Sequence, residues 1–273
     1  MNEHNPQGRA LITGASSGIG ATYAERLAQR GYDLILAARD PGRLEAVAQR
    51  LRRDTGVAVD VLSADLTAAA DLERVVQRLR DDGRISMLVN NAGIAASGPV
   101  VGADPRETAA MIALNTLAPT QLALAAASAF AARGEGSIIN IASVLALAPE
   151  LFNGVYGATK AYVLNFSLSL QQELAARGVR VQVVLPGVTR TELWSRSGTD
   201  IASLPAEMVM DVDEMVDAAL AGFDLGETVT IPSLPDASEW EALTNLRRSL
   251  APRLSLAHAA PRYARVAADL VER

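Results

Sequence analysis

The sequence predicts an α/β protein built on a doubly wound parallel sheet. Its first two-thirds alternate short apolar runs with longer amphipathic ones, and several of the short runs are apolar without interruption. Uninterrupted apolar strands are typical of parallel sheets covered by helices on both faces, and strands that alternate with helices imply right-handed crossovers. The chain has 273 residues, of which 49% are hydrophobic, enough for one large domain of this kind.

The apolar runs predict six strands, and the amphipathic stretches between them predict five helices. The strands are expected at residues 10–13, 34–38, 57–62, 85–89, 137–141 and 180–185. The helices are expected at residues 19–30, 41–54, 69–80, about 104–132 and about 153–177. Gly31 provides an end for the first helix, and Pro41 stands at a favourable first position of the second.

The pattern changes after residue 186. Residues 190–207 are polar and irregular and predict a surface loop, followed by a helix at 206–223 and a last strand at 228–231. The remainder is interrupted by prolines and predicts helical pieces. With no convincing boundary, we expect a single domain over 1–273, with a core at about 9–191, a substrate loop at about 192–215 and a C-terminal extension at about 232–273.

Charge and composition exclude several classes of function. The net charge of −6 disfavours nucleic-acid binding, and the absence of cysteine removes disulfides and thiolate chemistry. Residues 1–8 carry no apolar signal-peptide run, and the apolar stretch 109–132 is broken by polar residues and Pro119, which favours a buried helix over a membrane span. His4 and His258 fit no metal site. A cytoplasmic protein without a metal, nucleic-acid partner or membrane contact is expected.

A glycine-rich turn with the sequence T-G-A-S-S-G-I-G spans residues 13–20, between the first strand and the first helix. Gly14, Gly18 and Gly20 allow unusual dihedral angles and close approach of a ligand to the backbone. The free amides and dipole of the following helix favour an anion such as a pyrophosphate. The alternative is a turn that only connects a strand to a helix.

Four polar residues are candidates for catalysis. Tyr156 and Lys160 stand four apart on a predicted helix and therefore share one face, where a cation would lower the phenol pKa from its usual value near ~10. Ser143 follows a strand at the edge where ligands bind in such sheets. Asn115 lies inside a helix, where an amide side chain is a poor choice. Taken singly, Asn115 and Ser143 could also serve as helix-kink or cap residues.

Residues from about 10 to 191, some two-thirds of the chain, resemble the classical short-chain dehydrogenase/reductase family. The resemblance is carried by T-G-A-S-S-G-I-G at 13–20, N-N-A-G at 90–93, Y-G-A-T-K at 156–160 and P-G at 186–187. It implies a Rossmann-like fold and a catalytic tetrad of Asn115, Ser143, Tyr156 and Lys160. In that tetrad Tyr156 transfers the proton, Ser143 orients the substrate oxygen, Lys160 lowers the Tyr156 pKa and holds the nicotinamide ribose, and Asn115 holds a water.

The resemblance also implies a nicotinamide dinucleotide as cofactor. The expected contacts are Gly14, Ser16, Ser17, Gly18, Ile19 and Gly20 for the pyrophosphate turn, Asp65 and Leu66 for adenine, Asn91, Ala92 and Gly93 beside the ribose, Tyr156 and Lys160 at the nicotinamide, and Pro186, Gly187, Val188, Thr189 and Thr191 near the carboxamide and phosphates. On local grounds Asp65 could instead cap a helix, and the Asn91 amide could satisfy backbone groups.

The end of the second strand predicts NADP rather than NAD. Ala38 occupies the position where NAD-binding proteins carry an acidic residue for the ribose hydroxyls, and Arg39 follows it. A guanidinium can bind a 2′-phosphate bidentately. Asp40 complicates the prediction, because its carboxylate could repel a phosphate or pair with Arg39.

The leading hypothesis is therefore an NADP-dependent oxidoreductase acting on a carbonyl or a secondary alcohol. The apolar side chains of the substrate loop suit an apolar substrate or pack the loop onto the body. The family resemblance further implies a homodimer or homotetramer built on the long helices. The alternatives are an NADP(H)-binding sensor on the same fold and a non-redox lyase or epimerase.

Overall fold

The computed structural model describes residues 7–96, 98–198 and 200–263. Its Cα positions divide into two compact units, Met1–Ser233 and Leu234–Arg273. The predicted division of a single domain into core, substrate loop and extension stays a prediction.

The described part of the first unit contains a seven-stranded and a two-stranded sheet. Its strands are β1 (Arg9–Thr13), β2 (Asp33–Ala38), β3 (Val59–Ser63), β4 (Ile85–Asn90), β5 (Gly136–Ile141), β6 (Val179–Val184), β7 (Val188–Thr189), β8 (Val209–Met210) and β9 (Val229–Thr230). The large sheet has the order β3-β2-β1-β4-β5-β6-β9, and all its neighbours are parallel. The strand order reverses at β1 and β4, and ligands bind at such a switch point in open parallel sheets.

Helices cover both faces of the large sheet, which confirms the predicted fold class. They are α1 (Gly18–Gln29), α2 (Pro41–Thr55), α3 (Ala69–Asp81), α4 (Pro105–Ile112), α5 (Ala118–Arg133), α6 (Gly154–Leu174), α7 (Glu192–Arg196) and α8 (Val212–Asp224). One core cluster joins α1, α2 and α8 to the sheet, and a second joins α3, α5 and α6 to the other face. Adjacent residues of β1 enter opposite clusters, Leu11 the second and Ile12 the first, which explains why this strand is apolar throughout.

The apolar segment Pro105–Arg133 is long and apolar enough to cross a membrane by length and composition alone, with a mean hydropathy of 1.3 in its most apolar window. In the structure it forms α4, a π-helix at Ala113–Leu117 and α5. Leu122, Ala126 and Phe130 of α5 are buried in the second core cluster. The segment thus forms the helix expected at about 104–132, with its interior side against the sheet.

The predicted loop and helix after residue 190 differ most from the structure. Residues 190–207 are not wholly irregular, because they contain α7 and short 3₁₀ turns. The helix expected at 206–223 begins only at Val212, since Val209 and Met210 are extended and pair with Val188 and Thr189. These pairs tie the substrate loop to the segment that follows β6.

The second unit contains one regular helix among its described residues, α9 (Ala237–Leu250), followed by 3₁₀ turns at Ala251–Arg253 and Pro261–Tyr263. The side chain of Asp236 caps α9 by accepting a hydrogen bond from the Ser238 N–H at 2.9 Å. This agrees with the helical pieces expected there. His4 lies outside the described residues.

Candidate active site

A cavity of about 1020 Å³ lies at the carboxyl ends of the parallel strands. Residues just after β1 to β6 line it, and they are Gly14, Arg39, Ala64, Asn91, Ala142 and Pro186 among others. All of the predicted cofactor contacts line this cavity except Gly20. Of the predicted tetrad, Ser143, Tyr156 and Lys160 line it, whereas Asn115 lies outside its lining. The structure therefore brings the predicted residues to one site.

The glycine turn is held against the end of β4 by Asn91. The Asn91 amide donates to the carbonyl oxygens of Thr13 and Gly14 at 2.9 and 3.3 Å. Gly14 has a φ of +66°, and a Cβ there would lie 2.7 Å from the Asn91 Nδ2 atom. A Cβ on Gly20 would collide with both Asn91 and the Gly14 carbonyl. Gly20 therefore lets α1 pack closely against the turn, and it does not line the cavity. The Asn91 amide thus satisfies backbone groups, as the local alternative allowed.

The N-terminus of α1 faces the cavity without a side-chain cap in the described structure. Its N-cap residue Ser17 makes no side-chain capping hydrogen bond. By contrast, Asp40 caps α2 and Asn153 caps α6. Gly18 lines the cavity with a φ of +53°, which leaves the backbone open to a close ligand. An uncapped helix N-terminus behind glycines fits the pyrophosphate of a dinucleotide.

Of the charged residues after β2, Asp40 and Arg43 already bind other protein groups, whereas Arg39 does not pair with a carboxylate in the described ranges. Asp40 accepts a hydrogen bond from the Arg43 N–H at 3.0 Å, so its carboxylate is used as the α2 cap. The Arg43 guanidinium binds Glu192 of α7 bidentately at 3.0 and 2.5 Å, and this pairing raises the pKa of Arg43. Arg39 is exposed at the cavity and has no carboxylate within ion-pair distance in the described ranges. It is available for an anion.

Asp65 follows β3 and lines the cavity. Its carboxylate accepts hydrogen bonds from the N–H and the hydroxyl of Thr67 at 2.9 and 2.7 Å, and these bonds hold its pKa below the usual value. Asp65 therefore stabilises the turn between β3 and α3. It does not cap α3, as the local alternative proposed, because the N-cap residue of that helix is Ala68.

Tyr156 and Lys160 are buried one turn apart on α6. Asn153 places this turn by accepting hydrogen bonds from the N–H groups of Val155 and Tyr156 at 3.0 and 3.1 Å. The Lys160 ammonium donates to the Ile141 carbonyl at 3.0 Å and lies 5.6 Å from the centroid of the Tyr156 ring. Lys160 is the only lysine in the chain.

Burial controls the titration of both groups. It raises the pKa of Tyr156 to about 12, while a hydrogen bond with Ser143 acts in the opposite direction. Burial also lowers the pKa of Lys160 to about 8. The family resemblance implied a Tyr156 pKa lowered by Lys160. In this structure desolvation dominates and raises the Tyr156 pKa instead, while the ammonium donates to a backbone carbonyl and stands over the ring face.

Ser143 is buried directly after β5. Its hydroxyl accepts a hydrogen bond from the Leu145 N–H at 3.2 Å and lies 3.4 Å from the Pro186 carbonyl oxygen, to which it donates. The cap role and the position beside Tyr156 therefore coexist. The bond to Pro186 also fixes the loop after β6 relative to β5.

Asn115 lies in the π-helix between α4 and α5. Its amide donates to the Ile94 carbonyl at 2.9 Å and to the Thr159 hydroxyl at 3.1 Å, and its oxygen accepts from the Ile94 N–H at 3.0 Å. Gly93 leaves room here, since a Cβ on it would lie 3.2 Å from the Asn115 Oδ1 atom and 3.6 Å from the Lys160 Nζ atom. Asn115 thus connects the loop after β4 to α6 behind the cavity; π-helices of this kind often mark functional sites.

Two aromatic residues of the cavity carry no motif. Phe152 precedes α6, and Trp194 lies on α7. Phe152 belongs to no motif, and Trp194 is one of several apolar residues of the substrate loop. Phe152 stands four residues before Tyr156 in a chain with only 4% aromatic residues, which is a signal in the sequence, whereas Trp194 is distant in sequence and gives none.

A family model described as short chain dehydrogenase matches residues 9–202. The chain therefore belongs to the short-chain dehydrogenase family of oxidoreductases, and the predicted family is confirmed. One similar solved structure is a short-chain dehydrogenase from Sphingobium yanoikuyae in complex with NADPH. It is 54% identical, its TM-score is 0.91, and the match covers 94% of this chain and 99% of the Sphingobium chain.

Two further relatives have more specific names. The bulky-bulky ketone specific alcohol dehydrogenase from Comamonas testosteroni is 50% identical, has a TM-score of 0.88 and covers 95% of this chain and 99% of its own. Serine 3-dehydrogenase from Agrobacterium fabrum is 36% identical over 196 residues, which is 68% of this chain and 73% of that protein.

Proposed function

We propose that the protein is an NADP-dependent oxidoreductase that interconverts an uncharged, apolar ketone and its secondary alcohol, with Tyr156 as the general acid and base. The observation that carries this proposal is a single cavity with two differently equipped regions. One region has the uncapped α1 N-terminus and Arg39 for a phosphorylated nucleotide, and the other has Ser143, Tyr156 and Lys160 for a carbonyl group.

The preference for NADP rests on the charges after β2. Arg39 is available to a 2′-phosphate, while Asp40 is turned to its role as a helix cap and Ala38 offers no carboxylate for a ribose diol. Arg43 is neutralised by Glu192. The NADPH complex of the Sphingobium relative supports the same preference.

The protein's own part in the reaction follows from burial. A Tyr156 pKa of about 12 keeps the phenol protonated at neutral pH, so it can donate a hydrogen bond and then a proton to the oxygen of a bound carbonyl. Ser143 stands beside it to hold that oxygen. The nicotinamide, when bound, supplies or accepts the hydride. In the direction of alcohol oxidation Tyr156 must instead accept the proton, and the positive charge of Lys160 favours that step.

The charges of the cavity disfavour an anionic substrate. The cations that line it, within the described residues, are Arg39, Arg43 and Lys160. Among the described side chains, the substrate loop lines the cavity with the carboxylates of Glu192, Glu207 and Glu214 and with no cation. An anionic substrate would therefore meet no cationic partner among the described side chains of the loop. The ketone named for the Comamonas relative is consistent with a substrate that carries bulky groups on both sides of the carbonyl.

The test uses purified protein and a panel of aryl, cyclic and branched ketones, and it measures the alcohol formed for each NADPH consumed. We expect NADPH oxidation with one alcohol formed per NADPH consumed, and much slower turnover with NADH. Tight NADPH binding without turnover on any ketone would instead favour the sensor hypothesis. A changed product without net NADPH consumption would favour a lyase or epimerase.

A homo-oligomer in the cytoplasm belongs to the same proposal. Exposed apolar side chains on α4, the π-helix, α5 and α6 support an interface between copies, and they are Ile112, Leu117, Leu124 and Tyr162. Light scattering after gel filtration should give the mass of a dimer or tetramer, and a monomer at micromolar concentration would contradict it.

A further inference from the structure

Three aromatic rings form a row along the cavity wall, from α6 to the substrate loop. The Phe152 ring meets the Tyr156 ring edge to face, with centroids 5.9 Å apart and an interplanar angle of 81°. Phe152 meets Trp194 in the same way, at 6.0 Å and 80°. All three residues line the cavity. The space next to the proposed proton donor is therefore bounded by aromatic surface.

Backbone hydrogen bonds fix Trp194 and the start of the helix that follows Phe152, the middle ring of the row. The Trp194 indole N–H donates to the Thr189 carbonyl at 2.8 Å, which fixes the ring to β7. Phe152 directly precedes Asn153, whose side chain caps α6 and thereby sets the start of the helix that carries Tyr156. Phe152 and Trp194 are each only half-buried, so part of each ring remains accessible to a ligand.

The other apolar side chains around the substrate loop are aliphatic. They are Leu145, Leu193, Leu204, Met208 and Met210. The leucines provide apolar surface without a preference for ring edges or faces, whereas methionine sulfur also favours aromatic edges. Aromatic pairs add specific attraction to area burial when their centroids lie about 4.5–7 Å apart. The two aromatic residues, which lie in a row with Tyr156, are therefore the rings of this wall that can distinguish an aromatic from an aliphatic substituent.

We infer that Phe152 and Trp194 form an aryl-binding wall that selects ketones carrying an aromatic ring beside the carbonyl. The inference rests on the proposed function, since it places the ketone oxygen at Tyr156. It goes further in assigning substrate selection to two residues of which neither belongs to the predicted catalytic tetrad or the predicted cofactor contacts.

The test compares acetophenone with cyclohexyl methyl ketone, which have similar shape and differ in the aromaticity of one ring. The readout is the ratio of their kcat/KM values with NADPH. Phe152→Leu and Trp194→Leu should each lower the ratio of aryl to cyclohexyl substrate about 2- to 10-fold, the range expected for one aromatic contact. The Kd of NADPH should change by less than about twofold.

Two further variants separate recognition from loss of structure. Phe166→Leu removes a half-buried ring on α6 that stacks on Tyr162 outside the cavity, and it should leave the ratio unchanged. Trp194→Phe keeps a ring but loses the hydrogen bond to Thr189, and it should retain most of the preference. A general loss of stability would lower both kcat/KM values together and leave their ratio intact.

The inference is overturned if Phe152→Leu and Trp194→Leu leave the ratio at its wild-type value. It is also overturned if Phe166→Leu lowers the ratio as much as they do. A wild-type protein that reduces neither ketone contradicts the proposed function instead. Calorimetry on the NADPH-saturated protein then tests the aryl-binding wall separately by measuring the binding of the two ketones. Tighter binding of acetophenone that both leucine variants remove supports the wall. Equal binding of the two ketones, or no binding, contradicts it.

Discussion

The cofactor region of the cavity and the substrate loop are built in opposite ways. In the cofactor region, the side chains of Thr13 and Asn91 bond to the backbone and hold the glycine turn in place, and Asp40 caps α2. In the substrate loop, apolar side chains on short helices and turns are only partly buried. A rigid, hydrogen-bonded region suits a constant ligand, whereas a loop whose apolar side chains can change independently suits a variable one.

The largest effect expected from this difference lies in the glycine turn. Gly14→Ala places a Cβ 2.7 Å from the Asn91 amide in a left-handed backbone conformation. Strain and overpacking together cost roughly 2–6 kcal/mol, so NADPH affinity should fall by about 30-fold or more, or the fold should lose comparable stability. Fluorescence titration with NADPH and chemical unfolding measure the two outcomes.

The matched control is Gly56→Ala. Gly56 has a similar φ of +75°, but a Cβ there has no neighbour within 4 Å. It should cost about 1 kcal/mol of stability and leave NADPH affinity unchanged. Equal effects of the two variants on affinity would show that the turn is less rigid than described.

Lys160 allows a second test, because it is the only lysine in the chain. In protein labelled with ¹³C-lysine, its single side-chain signal should titrate near pH 8, well below the usual lysine pKa of about 10.4. Between these values the unfolded state holds more protons than the folded state, so the contribution of Lys160 to the free energy of unfolding rises with pH, by roughly 3 kcal/mol in total.

Lys160→Met should lack that rise when unfolding is compared at pH 7 and pH 9.5. Tyr156 works in the other direction only above pH 10, because its pKa is raised to about 12. A lysine signal that titrates above pH 10 would contradict the desolvated environment of Lys160.

The Arg39→Ala variant tests why the cofactor region should bind NADPH more tightly than NADH. Loss of a charge-assisted contact to a phosphate should weaken NADPH about 10- to 100-fold in Arg39→Ala and change NADH affinity by less than about threefold. Equal weakening of both nucleotides would mean that Arg39 does not bind the 2′-phosphate.

The smallest effect is expected where the two regions meet at the surface. Arg43→Ala breaks the half-exposed ion pair with Glu192, and exposed pairs contribute at most about 1 kcal/mol. A double-mutant cycle with Glu192→Gln should give a coupling energy in that range that shrinks as salt is added. A coupling of several kcal/mol would show that α2 and α7 act as one unit.

The same difference decides what could be predicted from the sequence. Strand positions were predictable because periodicity restricts which residue types can stand there, and cavity residues such as Ser143 and Tyr156 were predictable because their motifs resemble those of a known family. The capping role of Asp40 and the Arg43–Glu192 pair were not, because they depend on which of several partners a charged side chain meets in space. The late start of α8 at Val212 was missed because strand pairing of two residues overrode a continuous helical pattern.

The most direct test of the proposed mechanism is the rate of NADPH-dependent ketone reduction by Tyr156→Phe. This variant keeps the ring that meets Phe152 and removes only the hydroxyl. Loss of a general acid should lower kcat by about 10²- to 10⁴-fold while the Kd of NADPH stays within about twofold of the wild-type value. A variant that keeps its kcat to within tenfold would contradict the assignment of Tyr156 as the proton donor.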